Sequence, residues 1–224
     1  MKNLKNQIGL CIVFFALLFA FPFKAEAQTG EVGGRFMPTV SSFEMRSSSG
    51  GKVEGEATLG YGFGALFGYN FGENVGMQGE IIYNTNSQKY KEASFERKVT
   101  LRYLNIPLLL SLNTGKTKPV NLNAVVGPQI GISVGSDIFT EGSNSNNSAV
   151  LSVKKGDLGF AYGAGVDFGL NADKTFRLGL GFRGVYGLLD ISDNSHTITT
   201  DNYYLLDRSH VKTYSGYVGI SYLF

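Results

Sequence analysis

Few residues in this chain are of types that do chemistry. The sharpest pattern is Gly179-Leu180-Gly181-Phe182-Arg183-Gly184, which fits the spacing of a dinucleotide-binding glycine turn. Such a turn works where a strand ends and a helix begins, because the helix N-terminus holds the pyrophosphate. Here Phe176, Leu178, Leu180, Phe182 and Tyr186 alternate with Arg177, Gly179, Gly181 and Arg183 straight through the motif. A strand continues where a helix is needed, so nucleotide binding is not expected. Ser195, His196 and His210 lie in or beside one polar stretch, and a lipid hydrolase at a rim is the enzyme they could suggest. The histidines lack the paired spacing of a metal site. No catalytic residue, metal or cofactor is assigned, and the chain is not expected to be an enzyme.

Charge is more telling. Glu31, Arg35, Glu80, Asp167, Arg177 and Arg183 share one parity of alternating segments, the parity otherwise filled by Gly, Ser and Asn. Confined to one interior face, opposite charges can pair, and the pairing expected is of Glu80 and Asp167 with Arg35 and Arg183. That network reads as a structural plug of a lumen. The same residues would also serve a narrow gated passage for ions. Three cations fall on the opposite, apolar parity near the outer ends of their segments: Arg102, Lys154 and Lys212. At a membrane interface a charge costs only about 0–1 kcal/mol. Lipopolysaccharide phosphates are the partner expected there, taken bidentately by Arg and as a point charge by Lys.

The elements that hold these residues follow from composition and period. The chain has 224 residues, 43% hydrophobic and 17% charged, with 30 Gly. A soluble domain carries roughly 25% charged residues. With 20 Lys+Arg against 18 Asp+Glu, a nucleic-acid binder has no electrostatic footprint. Residues 1–27 read as a signal peptide: Lys2 and Lys5, an uncharged run from Ile8 to Phe21, then Ala25-Glu26-Ala27 as a cleavage site. The run is shorter than the roughly 20 residues of a spanning helix. Cys11, the only cysteine, lies inside it after Leu10, where lipidation would need a small residue. Residues 28–224 therefore form the mature domain, without disulfides.

That domain alternates with a period of two in eight segments. The clearest is the last, with Tyr214, Gly216, Val218, Ile220, Tyr222 and Phe224 on one face; the weakest is the first, with Val32, Phe36 and Val40. Most run beyond the roughly 5–6 residues of a soluble strand and suit the roughly 9–11 needed to cross a bilayer at a tilt. The large face is aromatic and the other small and polar, which fits a barrel with lipid outside. Connections alternate between short (Gly72-Glu73-Asn74, Asn113 to Pro119, Asn171 to Lys174) and long and polar (Glu44 to Ala57, Asn86 to Lys98, Ser136 to Lys155, Asp193 to His210). The fold class expected is all-β: an eight-stranded antiparallel up-and-down transmembrane β-barrel. Bacterial barrels have short periplasmic turns and longer outer loops. Both termini are expected in the periplasm and the long loops outside the cell.

Several stretches resemble the PorT-like outer-membrane β-barrel family, a porin family of Gram-negative envelopes. Tyr103-Leu104-Asn105-Ile106-Pro107-Leu108-Leu109 is similar to its Tyr-Leu-x-Ile-Pro-Leu-Leu strand, and Gly127-Pro128-Gln129-Ile130-Gly131 to its Gly-Pro-x-x-Gly strand. Asp157-Leu158-Gly159 leading to Gly163-Ala164-Gly165-Val166-Asp167-Phe168 also matches; Asn105 departs from the acidic residue often found there. The stripe Val218, Ile220, Tyr222 and Phe224 is similar to the aromatic ending read by the barrel-assembly machinery. The resemblance implies an outer-membrane location but no single activity. The role expected is structural or surface-interacting, with a largely occluded polar lumen in a monomer among outer-membrane lipids. The alternatives are a small pore or protein-secretion component and, behind these, a lipid-modifying rim enzyme.

Overall fold

The structure, a computed structural model, describes residues 29–42, 45–46, 52–53, 55–92, 95–141, 155–189, 205–206 and 211–224. The expected signal peptide at 1–27, Lys154, Ser195, His196 and His210 lie outside the described residues. Alternation over a dozen residues or more favours extended chain, since only a strand sends successive side chains to opposite faces. Eight long strands result: β1 (Thr29–Ser42), β2 (Gly55–Asn70), β3 (Val75–Glu92), β4 (Phe95–Asn113), β5 (Val120–Glu141), β6 (Gly156–Gly169), β7 (Phe176–Gly187) and β8 (Lys212–Leu223). Each pairs antiparallel with its neighbours in sequence, and β1 pairs with β8 to close the barrel. At the seam Gly30 N–H donates to the Phe224 carbonyl at 2.7 Å, and Phe224 N–H donates to the Gly30 carbonyl at 2.9 Å. Where the ring is closed no strand edge is left unpaired, the condition for crossing hydrocarbon; beyond Ser133, among the described residues, β5 pairs with β4 alone.

Both faces follow the sequence parity. Phe36, Phe63, Phe67, Ile81, Leu122, Phe182, Val218 and Ile220 are exposed on the outside. Arg177, Glu80 and Asn121 are fully buried within. A soluble protein that exposed so continuous an apolar surface would aggregate; facing lipid, the same surface is satisfied.

The bore is packed, and not only with small polar groups. Tyr217 points inward and lies over a trough of glycines on β6 and β7. A Cβ at Gly181 would stand 2.6 Å from Tyr217 Cζ, and one at Gly165 would collide with its hydroxyl. The Arg35 guanidinium lies over the ring, 4.6 Å from its centroid. Met37 and Ile82 cluster with Tyr217, while Leu109, Val125 and Ala161 form a second apolar group.

Two of the long connections are in part strand. The stretch Asn86 to Lys98, expected as a long loop, is mostly strand: β3 continues to Glu92 and β4 starts at Phe95. Tyr90 pairs with Arg97 and Glu92 with Phe95. Likewise β5 runs through Ser136 to Glu141. Apolar alternation stops where lipid stops, but backbone pairing does not need it. Short strands at Met45–Arg46, Lys52–Val53 and Leu205–Leu206 form a small sheet that joins the first and last long connections.

Candidate functional site: the charged lumen

The inward parity brings ionisable groups from strands far apart in sequence into one confined bore. Near its middle, Glu80 on β3 receives two guanidinium groups. Arg183, on β7 directly across the ring, donates Nη1 to Oε2 at 3.2 Å and Nη2 to Oε1 at 3.0 Å. Arg35 on β1 donates to Oε1 at 2.6 Å. Gln78 Nε2 also donates to Oε1, the third donor to that oxygen and the fourth to the carboxylate. Carboxylate and guanidinium in a two-pronged pair form the strong class of hydrogen bond. Glu80 is 2% exposed and Arg183 2%, so these charges are paired without bulk water. The group spans the bore from wall to wall.

A second cluster lies toward the end that carries the short turns. Its cation was missed in the sequence reading: Lys116, in the turn between β4 and β5. Its ammonium stands 2.8 Å from Glu31 Oε2 on β1 and 3.7 Å from Asp167 Oδ2 on β6. Asp167 therefore does not pair with Arg35 or Arg183 as the sequence suggested. It accepts from Asn121 Nδ2 at 3.0 Å and from Asn123 Nδ2 at 2.9 Å, and its cation is Lys116. A turn lysine ordinarily reads as solvated, and only the folded turn reveals that this one points inward.

Arg177, wholly buried on β7, makes no hydrogen bond to a carboxylate among the described residues. It donates instead to main-chain carbonyls: Lys174 at 3.3 Å, Lys118 at 3.0 Å and Asp167 at 3.2 Å. One guanidinium thus ties two turns to the wall. The six charges expected in the lumen are all on its inner face, but in separate groups: Glu80 with Arg35 and Arg183, Glu31 with Asp167 through Lys116, and Arg177 on carbonyls.

Outside, Arg102 on β4 forms an ion pair with Asp137 on β5. Lys212 on β8 lies 5.2 Å above the ring of Tyr186 on β7. At the other rim Tyr222 packs against Phe176 at 4.9 Å and stacks on Phe224 at 6.4 Å. Val218, Ile220, Tyr222 and Phe224 all face outward, with Phe224 69% exposed.

The chain matches the family model described as "Outer membrane protein beta-barrel domain" over residues 26–193. No curated protein matches it in sequence. Among solved structures it is similar to the outer membrane protein OprG from Pseudomonas aeruginosa. Identity there is 16%, the TM-score is 0.59, and the match covers 89% of this chain and 97% of that one. Neisserial surface protein A matches at 16% identity and a TM-score of 0.49, over 89% of this chain and 100% of that one. At 16% identity the likeness to OprG speaks to the fold alone.

Proposed function

The chain belongs to the outer membrane protein β-barrel domain family, and on that premise we propose that it is an integral protein of the cell outer membrane with a closed lumen, serving a structural or surface-interaction role through its loops. The observation that carries this reading is the Arg35–Glu80–Arg183 group, which fills the bore from one wall to the opposite one. A bore blocked by paired, desolvated charges offers no continuous water path. In this reading residues 1–27 are removed on export, both termini and the short turns are periplasmic, and the longer connections face outward. No enzymatic role is proposed.

The contact with lipopolysaccharide belongs to the same proposal, with unequal weight on its three residues. Arg102 brings the carboxylate of Asp137 with it, which weakens its pull on a phosphate. Lys212 and Lys154 carry the idea.

A second reading, a small pore or a PorT-like secretion component, draws on the Tyr103–Leu109 and Gly127–Gly131 motifs. It is favoured by the nature of the closure: side chains, which can move, rather than the barrel wall. Single-channel recording of the purified protein in planar bilayers separates the two. The closed reading expects no resolved conductance steps from the wild type. Regular steps at modest voltage would replace it with the pore reading.

A further inference from the structure

The two ionic groups in the lumen are held differently. Arg35, Glu80 and Arg183 all stand on barrel strands, β1, β3 and β7. Lys116 stands on none. It belongs to the connection between Asn113 and Val120, where Gly115 and Lys116 are buried while Thr114, Thr117, Lys118 and Pro119 are exposed. Gly115 permits the reversal with φ of 154°, a backbone angle that side chains disfavour. Thr114 N–H and Gly115 N–H both donate to Asn121 Oδ1 at 3.1 Å. Lys116 N–H donates to the Glu73 carbonyl of the preceding turn at 3.0 Å. Arg177 takes the Lys118 carbonyl at 3.0 Å. The result is a turn lysine only 5% exposed, its ammonium set between carboxylates from β1 and β6.

We propose that this turn is a second plug, in series with the Glu80 group and independent of it, so that the lumen conducts only when both are released. The proposal rests on the reading of a closed lumen and adds that no single break opens it. The two plugs share no residue: one uses Arg35, Glu80 and Arg183, the other Glu31, Lys116 and Asp167. Each can yield without unpairing strands. Arg183 needs a side-chain rotation, and Lys116 needs its turn to swing outward about Gly115. With Lys116 withdrawn, the mouth is left with the carboxylates of Glu31 and Asp167 and the amides of Asn113, Asn121 and Asn123. Anionic and carbonyl oxygens suit a small hard cation. The permeant class is therefore a small inorganic cation such as potassium.

The test is planar-bilayer recording of the full chain under a potassium chloride gradient, for wild type, Lys116→Met, Arg183→Ala and the double variant. Folding of each is checked by heat-modifiable gel mobility. The expected result is that only the double variant conducts, at least tenfold above either single one. Its reversal potential should favour potassium, because two positive charges have left the bore. A single variant conducting as well as the double overturns the series arrangement. So does a silent double variant with native mobility. A conducting wild type instead removes the closed-lumen reading itself. Lys116→Gln, which keeps a donor for Glu31 and Asp167, takes the place of Lys116→Met should that variant not fold, with the same outcomes read from it.

Discussion

Replacing Glu80 with glutamine is expected to destabilise the barrel more than any other single change within the lumen. The substitution keeps the size of the side chain and removes its charge. Arg35 and Arg183, which donate to Glu80 at 2.6 and 3.0 Å, are then left facing one another without the anion between them. Removing one partner of a buried pair typically costs about 3–5 kcal/mol, because an uncompensated charge stays desolvated. Here two cations lose their partner together, and with Glu80 2% exposed little water is at hand to screen them. The expected result is a clear fall in the temperature at which the protein loses its compact gel mobility. Converting Arg183 to glutamine in the same chain removes one of the two stranded cations and should recover part of the loss. A Glu80→Gln variant that melts with the wild type, or a double variant no better than the single one, would remove the charge network as a source of stability.

Deleting Phe224 is expected to have the largest effect on assembly. The residue closes the ring: it exchanges two main-chain hydrogen bonds with Gly30, and its ring lies against the open face of that glycine. Each such bond is worth about 0.5–1.5 kcal/mol in water, and more weight falls on it in hydrocarbon, where an unpaired group has no substitute. The deletion also removes the last residue of the stripe Val218, Ile220, Tyr222 and Phe224, the stripe proposed to engage the barrel-assembly machinery. Outer-membrane yield should fall several-fold. Deleting Gln28, which lies outside the described residues, should change it little. Equal yields for the two deletions would leave the terminal phenylalanine without a special part in insertion.

The strands were legible because lipid imposes a strict rule. Outward positions that meet hydrocarbon, such as Phe36, Phe63, Leu122 and Ile220, must be apolar, so a period of two persists across eight segments and marks which residues face the bore. The same rule explains the misread connection at Asn86 to Lys98. Beyond the lipid nothing requires an apolar face, yet Tyr90 still pairs with Arg97. Period shows where a strand is lipid-facing, not where it ends. The interior is harder to read, since several chemistries satisfy a filled lumen. Tyr217 and Leu109 sit inward on positions a purely polar lining would give to small residues. Tyr217 is admitted by Gly165 and Gly181, on strands that no local pattern links to it. Lys116 escaped notice for a related reason: it is in a turn, where alternation carries no information. The one hint was Gly115 beside it, a residue that allows the chain to fold back.

In the proposed reading this chain presents its apolar face to lipid and its charges to a closed interior. Fluorescence tests it most directly, because the sequence contains no tryptophan. Phe182 and Tyr217 stand at similar height on paired strands, since Phe182 pairs with Gly216 and Tyr217 with Gly181. Phe182 is 44% exposed on the outside, and Tyr217 is 6% exposed within. Single variants Phe182→Trp and Tyr217→Trp, refolded into vesicles of lipids brominated along their acyl chains, report which residue meets the hydrocarbon. Strong quenching of tryptophan at 182 and little at 217 is the expected result. Equal quenching at the two positions, or quenching at 217 alone, would contradict it.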